Sequence, residues 1–169
     1  MRVKKKQKRS KRAAERKSKT QQDGMTSKEQ EAELLAQKQL AEQMCMQADA
    51  HFFGFAPNAN KKEALRLYEE SESYGNSKAM LALGLIYEKG LINENSEQGA
   101  ITSMGALESA STEPDFMKAW DYYDQASDME PYATFKLGQF MEKGLYEEGN
   151  YRVKPSFHFA FNFYRKAVQ

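Results

Sequence analysis

One cysteine in 169 residues, Cys45, has no partner for an intramolecular disulfide. That removes support for an oxidising, secreted setting and favours a reducing compartment. No stretch approaches the roughly 18 apolar residues that a membrane-spanning helix needs, and the first residues lack the apolar core of a secretory signal peptide. Histidine is scarce too. His51 and His158 stand alone in their neighbourhoods and read as residues packed beside aromatics rather than as general bases. Cys45 has no nearby His, no Cys-x-x-Cys partner and no metal-ligand spacing, so it reads as a buried structural thiol. No glycine loop cradles a phosphate, because the glycines fall at expected helix ends and helix crossings. The acidic groups Glu69-Glu70, Glu113 to Asp115 and Glu147-Glu148 read as solvated faces or loop ends. Nothing in the chain calls for a cofactor or a metal, and the expectation is a protein that is not an enzyme.

Charge is present but unevenly distributed. Residues 1–20 carry eleven Lys or Arg against one acid, about +10, while the whole chain is +1, which leaves about −9 on the rest. Residues 1–24 contain no aromatic side chain and cannot bury enough apolar area to offset ordering entropy, so they read as a disordered basic arm. Its densest part is Lys4, Lys5, Lys6, Lys8, Arg9, Lys11 and Arg12. Three readings stay open: plain solvation, an address read by a nuclear-import or other receptor, and contact with RNA or another polyanion. Six to eight phosphate contacts would give a log-log salt slope of roughly −5 to −7. Without interleaved aromatics the arm is not expected to stack on bases or read sequence. A Lys-dense polar segment fits poorly with an amphipathic, Arg-rich organellar presequence. The expected location is cytoplasmic or nuclear, with an organelle left open.

From Ser27 the pattern becomes helical. Ser27 and Gln30 have capping-box spacing, and Leu34, Leu35, Leu40, Ala41, Met44, Ala48 and Phe52 continue at helical intervals to a stop near Gly54. The spacing then predicts helices over 61–74, ended by Gly75-Asn76, over 77–89, ended by Gly90, and over 132–143, ended by Gly144. The residues Leu83-Gly84-Leu85-Ile86-Tyr87-Glu88-Lys89-Gly90-Leu91 recur 54 positions later as Leu137-Gly138-Gln139-Phe140-Met141-Glu142-Lys143-Gly144-Leu145. The following helices align as well, at Ala64-Leu65-Arg66-Leu67-Tyr68, Ala119-Trp120-Asp121-Tyr122-Tyr123 and Ala160-Phe161-Asn162-Phe163-Tyr164. A repeat of this length stacks into an array whose units share one continuous core. The domain is expected over residues 25–169, with units of about 40–76, 77–129 and 132–169. An insertion of about 92–113 lies inside the second unit, where Ala100, Ile101, Met104 and Leu107 have weak amphipathic spacing.

The pattern Ala79, Leu83, Gly84, Tyr87 and Gly90, followed by Ala-Leu-x-x-Tyr in a second helix, resembles the Sel-one-like repeats, relatives of the tetratricopeptide repeat. The resemblance covers about residues 40–169 and is clearest in the second and third units. It implies an all-α, right-handed superhelical solenoid of about three helix-turn-helix repeats. Gly84 and Gly138 would sit where the helices of a hairpin approach closely, Tyr68, Tyr123 and Tyr164 would fill the space between units, and Gly90 and Gly144 would supply a left-handed conformation. Leu91-Ile92 stands where the family usually places a second glycine.

By the same resemblance, the first helix of each unit lines a concave surface. The implied contact positions are Lys78, Leu81, Leu85 and Glu88 in the second unit, and Tyr132, Phe135, Gln139 and Glu142 in the third. Leu81, Leu85 and Phe135 would form an apolar strip edged by acids, suited to an amphipathic partner helix with basic residues. The alternative is that tight curvature buries these side chains within the array. The expected role is a scaffold or adaptor that holds a protein partner or subunits of a large complex. A second expectation is a nucleic-acid-associated or ribosome-associated protein anchored through the arm. The aromatic run Phe157 to Tyr164, where a polar capping helix would be usual, implies a covering partner, a second copy or further sequence.

Overall fold

The computed structural model describes residues 27–91, 113–147 and 150–169. By compactness the chain divides between Gln39 and Leu40. In the first part, the described residues 27–39 are helical and exposed, including Leu34 and Leu35. The basic arm and the weakly amphipathic residues Ala100 to Leu107 lie outside the described residues.

Helix α1 spans Ser27–Phe52, α2 Lys61–Ser73, α3 Ser77–Lys89, α4 Phe116–Ala126, α5 Pro131–Lys143 and α6 Phe157–Ala167. Local chemistry sets most of these ends. Asn60 and Asn76 accept hydrogen bonds from Lys62 N and Lys78 N, Asp115 accepts one from Lys118 N and Ser156 a longer one from Phe159 N, so four helices start on a side-chain cap. Helix α5 has no side-chain cap and begins instead with Pro131, whose missing N–H and fixed φ suit a first turn. Gly90 ends α3 at φ 59°, ψ 41°, the left-handed region that a side chain would disfavour.

The expected left-handed stop at Gly144 takes a different form. Its φ is positive at 78°, but its ψ of 162° sends the chain onward in an extended path. That path becomes strand β1, Leu145–Glu147, which pairs antiparallel with β2, Asn150–Val153. The longer connection in the third unit is therefore a small β-hairpin inside an otherwise helical domain. A Cβ on Gly144 would lie 2.8 Å from the Pro155 ring, so close approach as well as φ favours glycine there.

Helices α3 and α4 pack as one hairpin, and α5 and α6 as another. One core cluster joins the end of α1 to α2 and α3, through Cys45, Ala48, Tyr68, Leu83 and Ile86. A second joins α4 to α5, through Ala119, Tyr123, Ala133, Leu137 and Phe140. The buried stripe of α1 is Ala41, Cys45 and Ala48, whereas Leu40 on the expected stripe is exposed. Small residues let α1 approach α2 closely enough for Ser71 Oγ to donate to Ala41 O at 2.6 Å. Ala64, Ala119 and Ala160, aligned by sequence, are all buried. Each large apolar side chain buried in these clusters stabilises the fold by on the order of 1.5–3 kcal/mol. No helix among the described residues is long and apolar enough to cross a membrane.

Candidate functional site

Each of the two later hairpins is built around a glycine, a tyrosine and an acid. Gly84 on α3 faces Tyr123 on α4, and Gly138 on α5 faces Tyr164 on α6. A Cβ on either glycine would come within 2.5 Å of the tyrosine ring. Each glycine leaves room for the ring against the facing helix. One turn further on, on the same face, stands a glutamate. Tyr123 donates its hydroxyl hydrogen to Glu88 Oε2 at 2.6 Å, and Tyr164 donates to Glu142 Oε2 at 2.7 Å. The first unit varies this arrangement: Ala48 replaces the glycine and Tyr68 donates to Asp49 Oδ1 at 2.6 Å. Burial, and then the carboxylate acceptor, hold the Tyr68 and Tyr123 hydroxyls well above the usual tyrosine range, and push Tyr164 up to about 12.

Around Glu88 the second and third units join. Lys136 from α5 places its Nζ 2.9 Å from Glu88 Oε1, with only 9% and 14% of the two side chains exposed. Phe140 of α5 meets Phe116, Trp120 and Tyr123 of α4 with ring centroids 6.0–6.2 Å apart. Ser77 Oγ donates to Glu130 Oε1 at 2.8 Å, tying the start of α3 to the start of α5. Breaking a buried pair such as Glu88–Lys136 on one side leaves an uncompensated charge and is strongly destabilising.

The eight contact positions inferred from the sequence are therefore in different states. Lys78 is exposed and pairs with Glu42 at 3.6 Å. Leu81 and Leu85 are half-buried and pack against the α4–α5 cluster. Glu88 is engaged by Tyr123 and Lys136. Tyr132 and Phe135 are exposed and stack on each other at 6.0 Å. Gln139 is half-buried, and Glu142 is exposed. Among the described residues no ion pair reaches Glu142.

Tyr132 and Phe135 continue into an open groove of about 450 Å³ with Pro131, Tyr164, Ala167 and Val168, walled almost wholly by apolar surface. Phe135 and Tyr164 are 5.5 Å apart by ring centroid. Earlier on α6, Phe157 and Phe161 are 76% and 63% exposed. The sequence flagged that aromatic helix but did not single out Lys136. Its one signal was a lysine two residues before the repeat glycine, where the second unit has Ala82.

The remaining polar candidates show no convergent chemistry. His158 lies near Asn162, Cys45 is buried with its thiol pushed up to about 11 by burial, and Glu63 and Glu70 pair with Arg66. Among the described residues no three His, Cys, Asp or Glu side chains are grouped to hold a metal.

The Sel1 repeat family model matches residues 35–72, 77–101, 100–130 and 131–169. The second and third matches divide one observed hairpin, taking α3 and α4 respectively. Among solved structures, the chain is similar to a Sel1 repeat protein from Oxalobacter formigenes, with TM-score 0.56 and 19% identity. That match covers 79% of this chain and 43% of the other. It is also similar to a protective antigen displaying an SLR fold, present in uropathogenic Escherichia coli strains. There the TM-score is 0.54 and identity 22%, over 76% of this chain and 22% of the other. The chain thus spans less than half the length of either protein. No curated protein matches it.

Proposed function

The chain belongs to the Sel1 repeat family, and from that premise we propose that it is a non-catalytic scaffold that holds a protein partner on its helical-repeat surface as part of a larger complex. The observation that carries this reading is the exposed Tyr132–Phe135 pair, an apolar surface bordered by Gln139 and Glu142. Solvent-facing aromatics of this kind, set in a polar rim, are the usual anchors of protein interfaces. Lys78 extends the same reading to the second unit. Leu81, Leu85 and Glu88 support it indirectly, because their contacts hold α5 in place.

The test uses the full chain and the variant Tyr132→Ser/Phe135→Ser, with folding checked by circular dichroism. Neither side chain belongs to a buried core cluster, so the variant should keep its helix content. Affinity capture from native lysate should then lose the wild-type partners. Unchanged partner recovery by the folded variant would sink this surface assignment.

A further inference from the structure

The last hairpin repeats the surface on which α5 is seated, and no other helix among the described residues is seated on it. Aligned on Gly84 and Gly138, the α3 residues Leu81, Leu85 and Glu88 correspond to Phe135, Gln139 and Glu142. Aligned on Ala119 and Ala160, the α4 residues Phe116, Trp120, Tyr123 and Ala126 correspond to Phe157, Phe161, Tyr164 and Ala167. Where α5 covers the earlier set, Tyr123 and Ala126 are fully buried and Trp120 is half-buried. In the later set Tyr164 and Ala167 are half-exposed, and Phe161 is open.

The seated helix has a definite chemistry. Ala133 and Leu137 enter the cluster, Phe140 contacts the aromatics of α4, and Lys136 reaches Glu88. We propose that the α5–α6 end face receives one amphipathic helix from a partner protein, which presents a small residue, a lysine or arginine, a leucine-like residue and an aromatic in the order and spacing of Ala133, Lys136, Leu137 and Phe140, its cation pairing with Glu142. This deepens the scaffold reading and rests on it.

The remaining segments within residues 1–169 lack that chemistry. Residues 92–112 contain no Lys or Arg. Residues 1–26 have cations but no Leu, Ile or aromatic residue. A second copy stacked head to tail would offer α1, where alignment on Ala48 puts Gln43, Met46, Gln47 and Ala50 at the four positions. The cation and the large apolar side chains at its third and fourth positions would both be missing. A partner helix supplies both, and its positive charge complements a carboxylate that has no ion pair among the described residues.

The probe is a stapled, fluorescein-labelled peptide with the sequence of Pro131–Lys143, because a free helix of 13 residues is marginal in water. Titrated with the full chain at low salt, it should bind saturably. Lys136→Glu in the peptide should weaken binding by roughly tenfold, the scale of one lost charge pair. Glu142→Lys in the chain should weaken the original peptide and restore the Lys136→Glu peptide. Phe161→Ser, at an exposed position, should weaken both. Equal binding of the two peptides, no saturable binding, or a dimer of the chain that Phe161→Ser abolishes would each overturn the proposal. If the peptide fails while capture still depends on Tyr132 and Phe135, the end-face assignment falls alone. If the peptide binds as expected while capture ignores Tyr132 and Phe135, the partner surface proposed above falls and, because Phe135 lies on the end face, the assignment of that face to a partner falls with it.

Discussion

The α3–α4 and α5–α6 hairpins carry the same glycine, tyrosine and glutamate, yet they differ in how far those residues are shielded. Tyr123 is completely buried, and its acceptor Glu88 also holds Lys136. Tyr164 makes the same hydrogen bond to Glu142 at almost the same distance, but in a half-exposed setting. Identical local chemistry thus has unequal consequences, because the neighbouring unit, and not the hairpin itself, completes the burial. This is the behaviour expected of a repeat array, where stability divides between units and the interfaces that join them.

The sharpest way to break the comparison is to remove the two tyrosines in turn. Tyr123→Ala should cost about 3–5 kcal/mol, as for other large buried aromatics, while Tyr164→Ala should cost less than about 2 kcal/mol. Urea unfolding read by circular dichroism checks the difference. Next comes the acid. Glu88→Ala leaves Lys136 buried without its carboxylate and should destabilise by roughly 3 kcal/mol. Glu142→Ala removes one exposed hydrogen bond and should cost about 1 kcal/mol or less. Equal losses in the same unfolding assay would mean that Lys136 does not depend on Glu88.

A smaller contrast is expected at the glycines. In both, an added Cβ meets the tyrosine ring at 2.5 Å, but Tyr164 has solvent on one side and can shift. Gly84→Ala should destabilise by about 1–2 kcal/mol through overpacking. Gly138→Ala should be nearly neutral, since relief of the helix penalty of glycine, about 1 kcal/mol, offsets the contact. Thermal melts of the two variants would separate these outcomes.

The smallest effect at neutral pH concerns titration. Burial raises the tyrosine hydroxyls in the folded state, with Tyr164 and Tyr122 pushed up to about 12 and Tyr68 and Tyr123 raised further. The folded state therefore holds these protons more tightly than the unfolded chain. Their contribution is complete below the unfolded value near 10 and is lost as pH rises through the folded values. Cys45, raised from 9.0 to about 11 by burial, acts in the same direction from a lower pH. Melting temperature should fall steadily above about pH 9. Glu142→Gln should lower the Tyr164 titration seen by tyrosinate absorbance, with little change in stability at pH 7. A Tyr164 titration that does not move would show that burial alone raises it.

Much of this arrangement was legible in the sequence. Asn76, Gly90 and the aligned alanines act locally or recur at fixed spacing, so the α3 ends and the order of the second helices could be read from residue type. Close helix approach at Gly84 and Gly138 was readable from the repeat, but Tyr123 and Tyr164, expected between units, lie against those glycines within each hairpin. Other features depend on neighbours that residue type does not reveal. Leu81 and Leu85 have the spacing of an exposed strip, but the adjoining unit determines how much of them is covered. Lys136 reads as a surface residue until a carboxylate from another helix meets it. Gly144 has the sequence context of Gly90, yet its ψ turns the chain into a β-hairpin.

The most direct measurement is amide hydrogen exchange of the full chain with and without the stapled Pro131–Lys143 peptide. The account predicts faster exchange in α6 than in α4 for the free chain, and slowing on peptide addition confined to α5 and α6. Equal protection of α4 and α6 in the free chain, or slowing spread across α2 and α3, would contradict the claim that the last hairpin presents an open copy of the internal stacking surface.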